Sequence, residues 1–324
     1  MRAIRVQQFG APAVLQVVDV PMPVAGPGQV RVRMHAIGVN PVDTYIRSGA
    51  YARLPALPYT PGTDGGGVVE SVGAGVSHVS PGQRVYVAAS LDETFGGAYQ
   101  EHVIGGARFV HPIPDHVTFA QAAGVGVPYC TAYRSLHQRA HGRPGETVLV
   151  HGGSGGVGLA SIQLARAHGM TVVASASTER GRTLMAEQGA HLVVDHSEAG
   201  YLDAVMAFTG GRGVDVILEM LANVNLAKDL PLLAMRGRVV VIGSRGDVQI
   251  TPRQTMAKDS AILGMALWNT PLDDLARIHA AIVAGLANRS LSPVVGREFP
   301  LGDAPAAHEA VMTAGAHGKV VLLT

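Results

Sequence analysis

The sequence predicts a two-domain α/β protein, with a mainly antiparallel β-barrel or sandwich first and a doubly wound parallel sheet after it. Three observations support this fold class. The chain has 324 residues, more than one hydrophobic core usually organises. Its first third is rich in short β-branched segments separated by turn residues. From residue 147 onward, short apolar strand patterns alternate with helix patterns, which is typical of a parallel sheet with helices on both faces.

The first domain is predicted from five strand patterns and the turn signals between them. The predicted strands are residues 3–6, 14–18, 30–34, 67–72 and 84–87. Helical character begins near Thr118, which is a favourable N-cap residue. It continues to about residue 140, and Pro128 is expected to interrupt it.

The second domain is predicted from a regular alternation of strands and helices. The strands are expected at 147–151, 171–174, 192–194, 214–218 and 238–242, and the helices at 155–168, 178–188, 201–208 and 226–235. A strand at 262–267, helices at 271–287 and 303–313, and a strand at 319–323 follow. We therefore expect domains at 1–120, completed by 262–324, and at 121–261, because chain ends usually lie near each other.

Composition and charge exclude several classes of protein. Hydrophobic residues make up 47% of the chain, and the net charge is +1 without runs of like sign. This balance argues against nucleic acid or an anionic membrane surface as the main partner. No stretch predicts a transmembrane helix, and the first residues lack a signal-peptide pattern. The single cysteine, Cys130, excludes an internal disulfide and is consistent with a cytoplasmic protein.

A glycine-rich turn lies between the first strand and the first helix of the second domain. Residues 153–158 read Gly-Ser-Gly-Gly-Val-Gly, which fits the G-x-G-x-x-G pattern of dinucleotide-binding Rossmann units. In that pattern Gly153 permits the tight turn, Gly155 lets a pyrophosphate approach the backbone, and Gly158 lets the helix pack close to the strand. A flexible turn is the alternative, but the flanking strand and helix favour phosphate binding at the helix N-terminus.

The end of the second strand favours NADPH over NADH. NAD-binding units usually place an acidic residue there to bind the ribose 2′-hydroxyl. Here residues 175–177 read Ser-Ala-Ser, which leaves room for a 2′-phosphate, and Arg180 and Arg182 follow. Glu179 is a contrary residue that would suit a ribose, and a solvated helix face is the alternative interpretation of the two arginines.

Five segments together resemble the zinc-free quinone oxidoreductase branch of the medium-chain dehydrogenase/reductase superfamily, which includes the zeta-crystallins. They are residues 38–49, 58–62, 150–158, 219–226 and 242–246. The resemblance extends over nearly the whole chain. It implies a GroES-like barrel domain joined to a Rossmann domain, with NADPH and a small substrate in the cleft between them.

The resemblance also implies roles for individual residues. The pyrophosphate would be bound by Ser154, Gly155, Gly156 and Val157, and the adenosine ribose with its 2′-phosphate would lie near Ser177 and His196, where Arg180 supplies charge. The rest of the cofactor would be lined by Asn225, Gly243, Ser244 and Arg245. Its nicotinamide end would be approached by Met265, Ala266 and Leu267. The catalytic residues beside the nicotinamide would be Asn40 and Tyr45. Plainer alternatives are a surface His196, a helix-capping Asn225, a solvated Arg245 and a core Tyr45.

No metal is expected. Zinc-dependent alcohol dehydrogenases of the superfamily carry a cysteine near the position of Asn40, a Gly-His-Glu segment and a third ligand ahead of the cofactor domain. Here residues 62–64 read Gly-Thr-Asp, and Val127 stands near the third position with Cys130 close by. These side chains do not supply the three protein donors that a catalytic zinc needs.

Without Lewis-acid activation, an electron-poor quinone or an enone is the expected substrate. Asn40 would hydrogen-bond a substrate oxygen, and Tyr45 would orient the ring or donate a proton. The alternatives are an enoyl or alkenal reductase, and a non-catalytic nucleotide- or RNA-binding crystallin-like protein. The apolar edge strand at 262–267 predicts a homodimer, with a tetramer as the alternative.

Overall fold

The computed structural model describes residues 1–315 and 317–324 and divides the chain into two compact units. Unit 1 comprises Met1–Val127 and His279–Thr324, and unit 2 comprises Pro128–Ile278. Both boundaries fall later in the chain than the expected ones at 120/121 and 261/262. The second difference arises because residues 261–264 form a strand in the sheet of unit 2 and stay with it.

Unit 1 is built on a mostly antiparallel sheet. Its strands are β1 (Arg2–Arg5), β2 (Gln16–Asp19), β3 (Gln29–Val39), β4 (Asp64–Val72), β5 (Arg84–Ala88), β6 (His102–Gly106) and β7 (Val110–Pro112), with β14 (Val295–Pro300) and β15 (Lys319–Leu323) from the second segment. Its helices are α1 (Pro41–Ser48), α2 (Phe119–Ala122) and α10 (Ala304–Met312). The main sheet has the order β14-β15-β3-β4-β5-β7, and β6 pairs with β3. β1 and β2 form a separate antiparallel pair.

Unit 2 contains a six-stranded parallel sheet. Its strands are β8 (Thr147–Val150), β9 (Thr171–Ser175), β10 (Leu192–Val194), β11 (Val214–Glu219), β12 (Leu233–Val241) and β13 (Ala261–Gly264). Its helices are α4 (Gly156–Ala167), α5 (Glu179–Glu187), α6 (Tyr201–Phe208), α7 (Ala222–Leu232) and α8 (Arg253–Met256). Two more helices, α3 (Gly126–Tyr133) and α9 (Leu272–Ala287), contain the unit boundaries.

The strand order of unit 2 is β10-β9-β8-β11-β12-β13. Numbered within the unit, this is the order of the Rossmann fold, in which ligands bind at the carboxyl ends of the strands beside the point where the order reverses. That point lies between β8 and β11, whose central residues are completely buried. The predicted doubly wound parallel sheet is therefore confirmed.

Local sequence explains several element ends. Thr118 caps α2 by accepting a hydrogen bond from the Gln121 amide, and the Gln121 side-chain oxygen accepts one from the Thr118 amide, which is a capping box. The helical region that begins near Thr118 is interrupted as expected, but the break lies between α2 and α3 and not at Pro128 itself. Pro128 lies in the first turn of α3, where its missing N–H removes no helical hydrogen bond. No helix of the described residues is both long and apolar enough to cross a membrane.

Candidate functional site

The predicted cofactor residues of unit 2 all lie at one edge of its sheet. They follow the carboxyl ends of all six parallel strands, from residues 154–157 after β8 to residues 265–267 after β13. The edge is continuous because all the strands are parallel. Gly243 shows how tightly its loops pack, since a Cβ there would meet the Met220 carbonyl oxygen at 2.5 Å.

The glycine-rich turn forms an open cradle at the start of α4. Gly155 is the N-cap residue of this helix, with φ −82° and ψ 173°. A Cβ built on Gly155 would meet only the Gly152 carbonyl oxygen within 4 Å, at 3.6 Å. The protein therefore leaves this space open, while the first-turn N–H groups of α4, Gly156 and Val157 among them, point out of the helix N-terminus. A diphosphate group suits this cradle.

The other glycines of the turn have packing roles. Gly158 behaves as expected, because a Cβ there would lie 2.5 Å from the Gly152 carbonyl oxygen. The role expected for Gly153 needs correction, since the positive φ of the tight turn belongs to Gly152, at 58°. Gly153 instead gives space to a neighbouring side chain, because a Cβ there would lie 2.4 Å from the Met185 sulfur, which would have to move. Ser154 is only 8% exposed.

The two arginines that the sequence suggests for binding a 2′-phosphate, which follow β9, have different surroundings in the structure. Arg182 forms a short ion pair with Asp195 and donates to the Ala176 carbonyl oxygen at 3.5 Å. Arg180 is exposed in the first turn of α5, and Ser177 is exposed just before this helix. Arg180 is therefore the arginine whose side chain is available to a new anion, whereas Arg182 is already held by a carboxylate.

The remaining predicted residues lie at the same edge, in the first turn of α7 and on loops. Asn225 is in the first turn of α7 and donates from Nδ2 to Glu219 Oε1 at 3.2 Å, so it does not cap the helix, whose N-cap is Leu221. The Arg245 amide donates to Asn223 Oδ1 at 2.9 Å. His196 follows β10 and is exposed, but partial desolvation of its ring and the charge of His151 lower its pKa.

Three buried ionisable side chains behind this edge were not predicted. His151 follows β8, Glu219 ends β11, and Asp229 lies on α7. They are only 3%, 0% and 0% exposed. Because they lie far apart in the chain, no local pattern could have indicated that they meet.

In unit 1, the side chain of Asn40 is already engaged at both ends. Its Nδ2 donates to Asp64 Oδ2 at 2.8 Å, and its Oδ1 accepts a short hydrogen bond from Lys319 Nζ. Asn40 is only 2% exposed. The sequence predicted that the Asn40 side chain would hydrogen-bond a substrate oxygen. Both ends of its amide group are already used within the protein. The geometry instead favours a role in ordering the start of α1, on which Tyr45 lies half-buried.

Asp64 contacts both other members of the buried polar group formed by Asn40, Asp64 and Lys319. Its Oδ1 accepts from the Val127 amide at 2.9 Å, and its Oδ2 lies 3.4 Å from Lys319 Nζ. Burial raises the pKa of Asp64, and the charge of Lys319 and the hydrogen bond from Asn40 oppose the rise. Both carboxylate oxygens are thus occupied by protein donors, one of them a buried cation.

A second buried chain of hydrogen bonds starts at the same helix. The Asn40 amide donates to Asp43 Oδ2 at 2.8 Å, and the Tyr99 hydroxyl lies 3.3 Å from that oxygen and 3.0 Å from His308 Nε2. Burial raises the pKa of Asp43 to about 7, although the Asn40 amide opposes the rise. Asp43 therefore holds its proton to a much higher pH than an exposed carboxyl group.

Comparison with known proteins identifies two family regions in the chain. The sequence profile described as an alcohol dehydrogenase GroES-like domain matches residues 26–115, and the profile described as a zinc-binding dehydrogenase matches residues 156–281. The chain is 48% identical to the quinone oxidoreductase of Mus musculus over 327 residues, which covers 100% of this chain and 98% of the relative. It is 46% identical to that of Homo sapiens over 325 residues, with the same coverage of both proteins.

Two solved structures match over their full lengths. The quinone oxidoreductase of Escherichia coli, complexed with NADPH, has a TM-score of 0.87 at 28% identity, and each chain is covered to 100%. A mycobacterial protein, also complexed with NADPH, has a TM-score of 0.89 at 33% identity, again with 100% of each chain covered. From its full-length similarity to these relatives, the chain belongs to the quinone oxidoreductase family of the medium-chain dehydrogenase/reductase superfamily.

Proposed function

We propose that this protein is an NADPH-dependent quinone reductase. The observation that carries the proposal is the 48% identity to a quinone oxidoreductase across the whole chain. The open cradle at Gly155, at the point where the strand order of a Rossmann sheet reverses, supports the cofactor part of it.

The residues of unit 2 are suited to hold NADPH in an extended pose. The N-terminus of α4 would bind the pyrophosphate through backbone N–H groups, and Ser177 and Arg180 would bind the 2′-phosphate. The loops at Asn225 and Gly243 would line the remaining part of the cofactor. Bound NADPH supplies the reducing equivalents, so the protein needs chiefly to orient the reactants and exclude water.

Unit 1 would supply the groups that contact the substrate. We assign that role to Tyr45 and a positioning role to Asn40, whose amide fixes the start of α1 through Asp64 and Lys319. A quinone accepts electrons without activation of its carbonyl by a metal, which suits a site whose substrate contact is a tyrosine side chain.

The substrate class is tested by NADPH oxidation against a panel of ortho-quinones, para-quinones and enones. We expect the quinones to be reduced fastest. Faster reduction of the enones would replace the proposal with an alkenal reductase, and no oxidation with any compound would contradict both.

We expect NADPH to bind more tightly than NADH, and Arg180→Ala to remove most of that preference. Loss of one charge-assisted contact should weaken NADPH binding about tenfold and leave NADH binding unchanged. Fluorescence titration of both cofactors measures this. Arg212→Ala is the matched control, because Arg212 precedes β11 at the opposite edge of the sheet. Equal affinity of the parent protein for the two cofactors would contradict the assignment.

Activity is expected to survive treatment with a strong chelator. Where zinc-dependent relatives carry ligands, this chain has Asn40, Thr63 and Val127. The neighbouring Asp64 carboxylate is neutralised by Lys319. Quinone reduction and metal content are measured before and after chelation. One metal ion per chain, with activity that is lost on its removal and restored on its return, would refute metal-independence.

We also propose a homodimer formed through β13. This strand is at one end of the sheet, and its residues Ala261, Ile262 and Gly264 are exposed. An exposed edge strand is prone to pair with another, and isologous pairing produces a two-fold dimer. Ile262→Lys is expected to shift sedimentation at micromolar concentration from dimer to monomer. A parent protein that sediments only as a monomer would rule out the dimer, and a tetramer would require a second interface.

A cytoplasmic location is the natural setting for this activity. The single cysteine, Cys130, is a buried thiol, which suits a reducing compartment. Fractionation of cells with an antibody to the protein tests this, and recovery in a secreted fraction would oppose it.

A further inference from the structure

The buried triad of His151, Glu219 and Asp229 lies directly behind the proposed cofactor edge. His151 Nε2 is 2.8 Å from Asp229 Oδ1 and 3.5 Å from Glu219 Oε2. One carboxylate oxygen of Glu219, one of Asp229 and a ring nitrogen of His151 all lie within 4.8 Å of one another. On its other side, His151 Nδ1 lies 3.3 Å from the Ser175 hydroxyl, at the end of β9.

Two oxygen atoms of this triad need a proton between them. Among the described residues, Glu219 Oε2 and Asp229 Oδ2 are buried without a hydrogen-bond donor. A carboxylate only accepts hydrogen bonds, so two ionised carboxylates cannot satisfy each other. One histidinium balances one negative charge, and a second buried charge would remain unpaired. A proton on Glu219 satisfies both oxygen atoms and makes the triad neutral.

Glu219 also holds two loops of the cofactor edge. Its Oε1 accepts a short hydrogen bond from the Leu221 amide and one from Asn225 Nδ2 at 3.2 Å. Its backbone carbonyl oxygen accepts from the amides of Ile242 and Gly243, at 2.9 Å and 3.2 Å. A change at the Glu219 side chain would therefore reach the segment after β11 directly, and the loop after β12 through movement of the Glu219 backbone.

We propose that Glu219 is a positioning residue for NADPH, and that it acts as a carboxylic acid whose proton is donated to Asp229. This rests on the proposed function, in which the Asn225 and Gly243 loops line the cofactor. A divalent cation between the three side chains is the competing occupant, because one imidazole and two carboxylates form a common ligand set. The direct 2.8 Å hydrogen bond from His151 to Asp229 favours the proton.

The electrostatic surroundings agree with a protonated Glu219. Burial raises the pKa of Glu219 to about 7, and the nearby Asp229 adds to the rise while His151 opposes it. Burial lowers the pKa of His151, but the hydrogen bond to Asp229 and the charge of Asp229 are the largest opposing effects, and the pKa is raised. The other titratable or charged groups that face the triad are Tyr201 on α6, His196 after β10 and Lys228 on α7.

The sign of the pH dependence follows from the raised pKa of Glu219. The stability that depends on its proton is complete below the ordinary value of 4.5 and is lost as the pH rises through about 7. Above that pH the buried carboxylates repel each other, and the loops held by Glu219 should loosen. NADPH binding should then weaken as well.

Glu219→Gln tests this directly, because glutamine copies the protonated acid. Its amide oxygen accepts from Leu221 and Asn225, and its amide nitrogen donates to Asp229. We expect this variant to bind NADPH like the parent, and Glu219→Ala to bind about tenfold more weakly because buried donors lose their acceptor. Asp215→Asn is the control, since it makes the same chemical change near the opposite end of β11.

Two further measurements distinguish a protonated Glu219 from an ionised Glu219 and from a metal ion bound between the three side chains. NADPH affinity of the parent should fall between about pH 6 and about pH 9 relative to Glu219→Gln, a comparison in which the cofactor's own titration cancels. Thermal unfolding without NADPH should show the same divergence. An amide variant as weak as Glu219→Ala, parallel pH profiles, or one metal ion per parent chain that is absent from the variant would each overturn the proposal.

Failure of the proposed function would look different. If the parent bound no NADPH, the quinone reductase proposal and the positioning role would fall together, while unfolding without cofactor would still decide whether Glu219 holds a proton. If the parent bound NADPH and Glu219→Ala bound it equally well, only the positioning role would fall.

Discussion

Gly155→Val is expected to weaken NADPH binding by about 100-fold or more, equivalent to ~2.8 kcal/mol, while unit 2 remains folded. The backbone angles of Gly155 are ones that valine adopts, with φ −82° and ψ 173°. Its Cβ would make only an ordinary contact, at 3.6 Å from the Gly152 carbonyl oxygen. The added carbons would instead occupy the open space at the N-terminus of α4 that we assign to the pyrophosphate.

A contrasting variant separates the ligand effect from a folding effect. Gly158→Ala places a Cβ 2.5 Å from the Gly152 carbonyl oxygen and 2.6 Å from the Gly153 Cα, backbone atoms that cannot easily move, so unit 2 should be destabilised. Gly302→Val in unit 1 is the neutral control, because its Cβ meets only Val17, at 4.0 Å. Circular dichroism and NADPH titration are measured for all three. A folded Gly155→Val protein with the parent's affinity would place the cofactor elsewhere.

Much of the fold follows from local patterns. The helix at Tyr201–Phe208 has the predicted bounds, and the alternation from 147 to 242 was enough to predict the parallel sheet of unit 2. β6 and β14 were missed because their sequences, with histidine, glycine and charged residues, lack an apolar alternation. These two strands arise from pairing with β3 and β15, which are distant in the chain. Likewise β3 continues past the predicted Met34 because β4 and β15 pair with its second half.

In the candidate site, too, local sequence order predicted some features, whereas contacts between residues far apart in the chain could not be predicted. The glycine turn and the residues after each strand were predictable because a Rossmann unit places them by local order along the chain. The hydrogen bonds of Asn40 were not, because Asp64 and Lys319 are 24 and 279 positions away. The positive φ of Gly152 was also missed, since G-x-G-x-x-G assigns the tight turn to the next glycine. Sequence patterns thus located the backbone cradle but not the buried side-chain networks behind it.

Lys319→Met is expected to destabilise unit 1 by about 3–5 kcal/mol, because it leaves a buried carboxylate without its cation. Lys319 is only 5% exposed and Asp64 is fully buried, with 3.4 Å between Nζ and Oδ2. The loss is measured by hydrogen exchange of peptides from β3 and β4, which flank the pair. Arg2→Met is the control, since the Arg2 side chain is 56% exposed in its pair with Glu101 and should contribute little.

The pH dependence of the Lys319→Met variant identifies the cause of its loss. The charge of Lys319 lowers the pKa of Asp64, so its removal should raise that pKa further above the ordinary value of 3.8. A raised acid pKa contributes stability that is complete below 3.8 and is lost as the pH rises through the folded value, so the deficit of the variant should shrink in acid. Adding Asp64→Asn removes the buried charge and should recover much of the loss at neutral pH. A deficit that is equal at all pH values, and is not reduced in the double variant, would mean that Lys319 stabilises unit 1 by packing rather than by its charge.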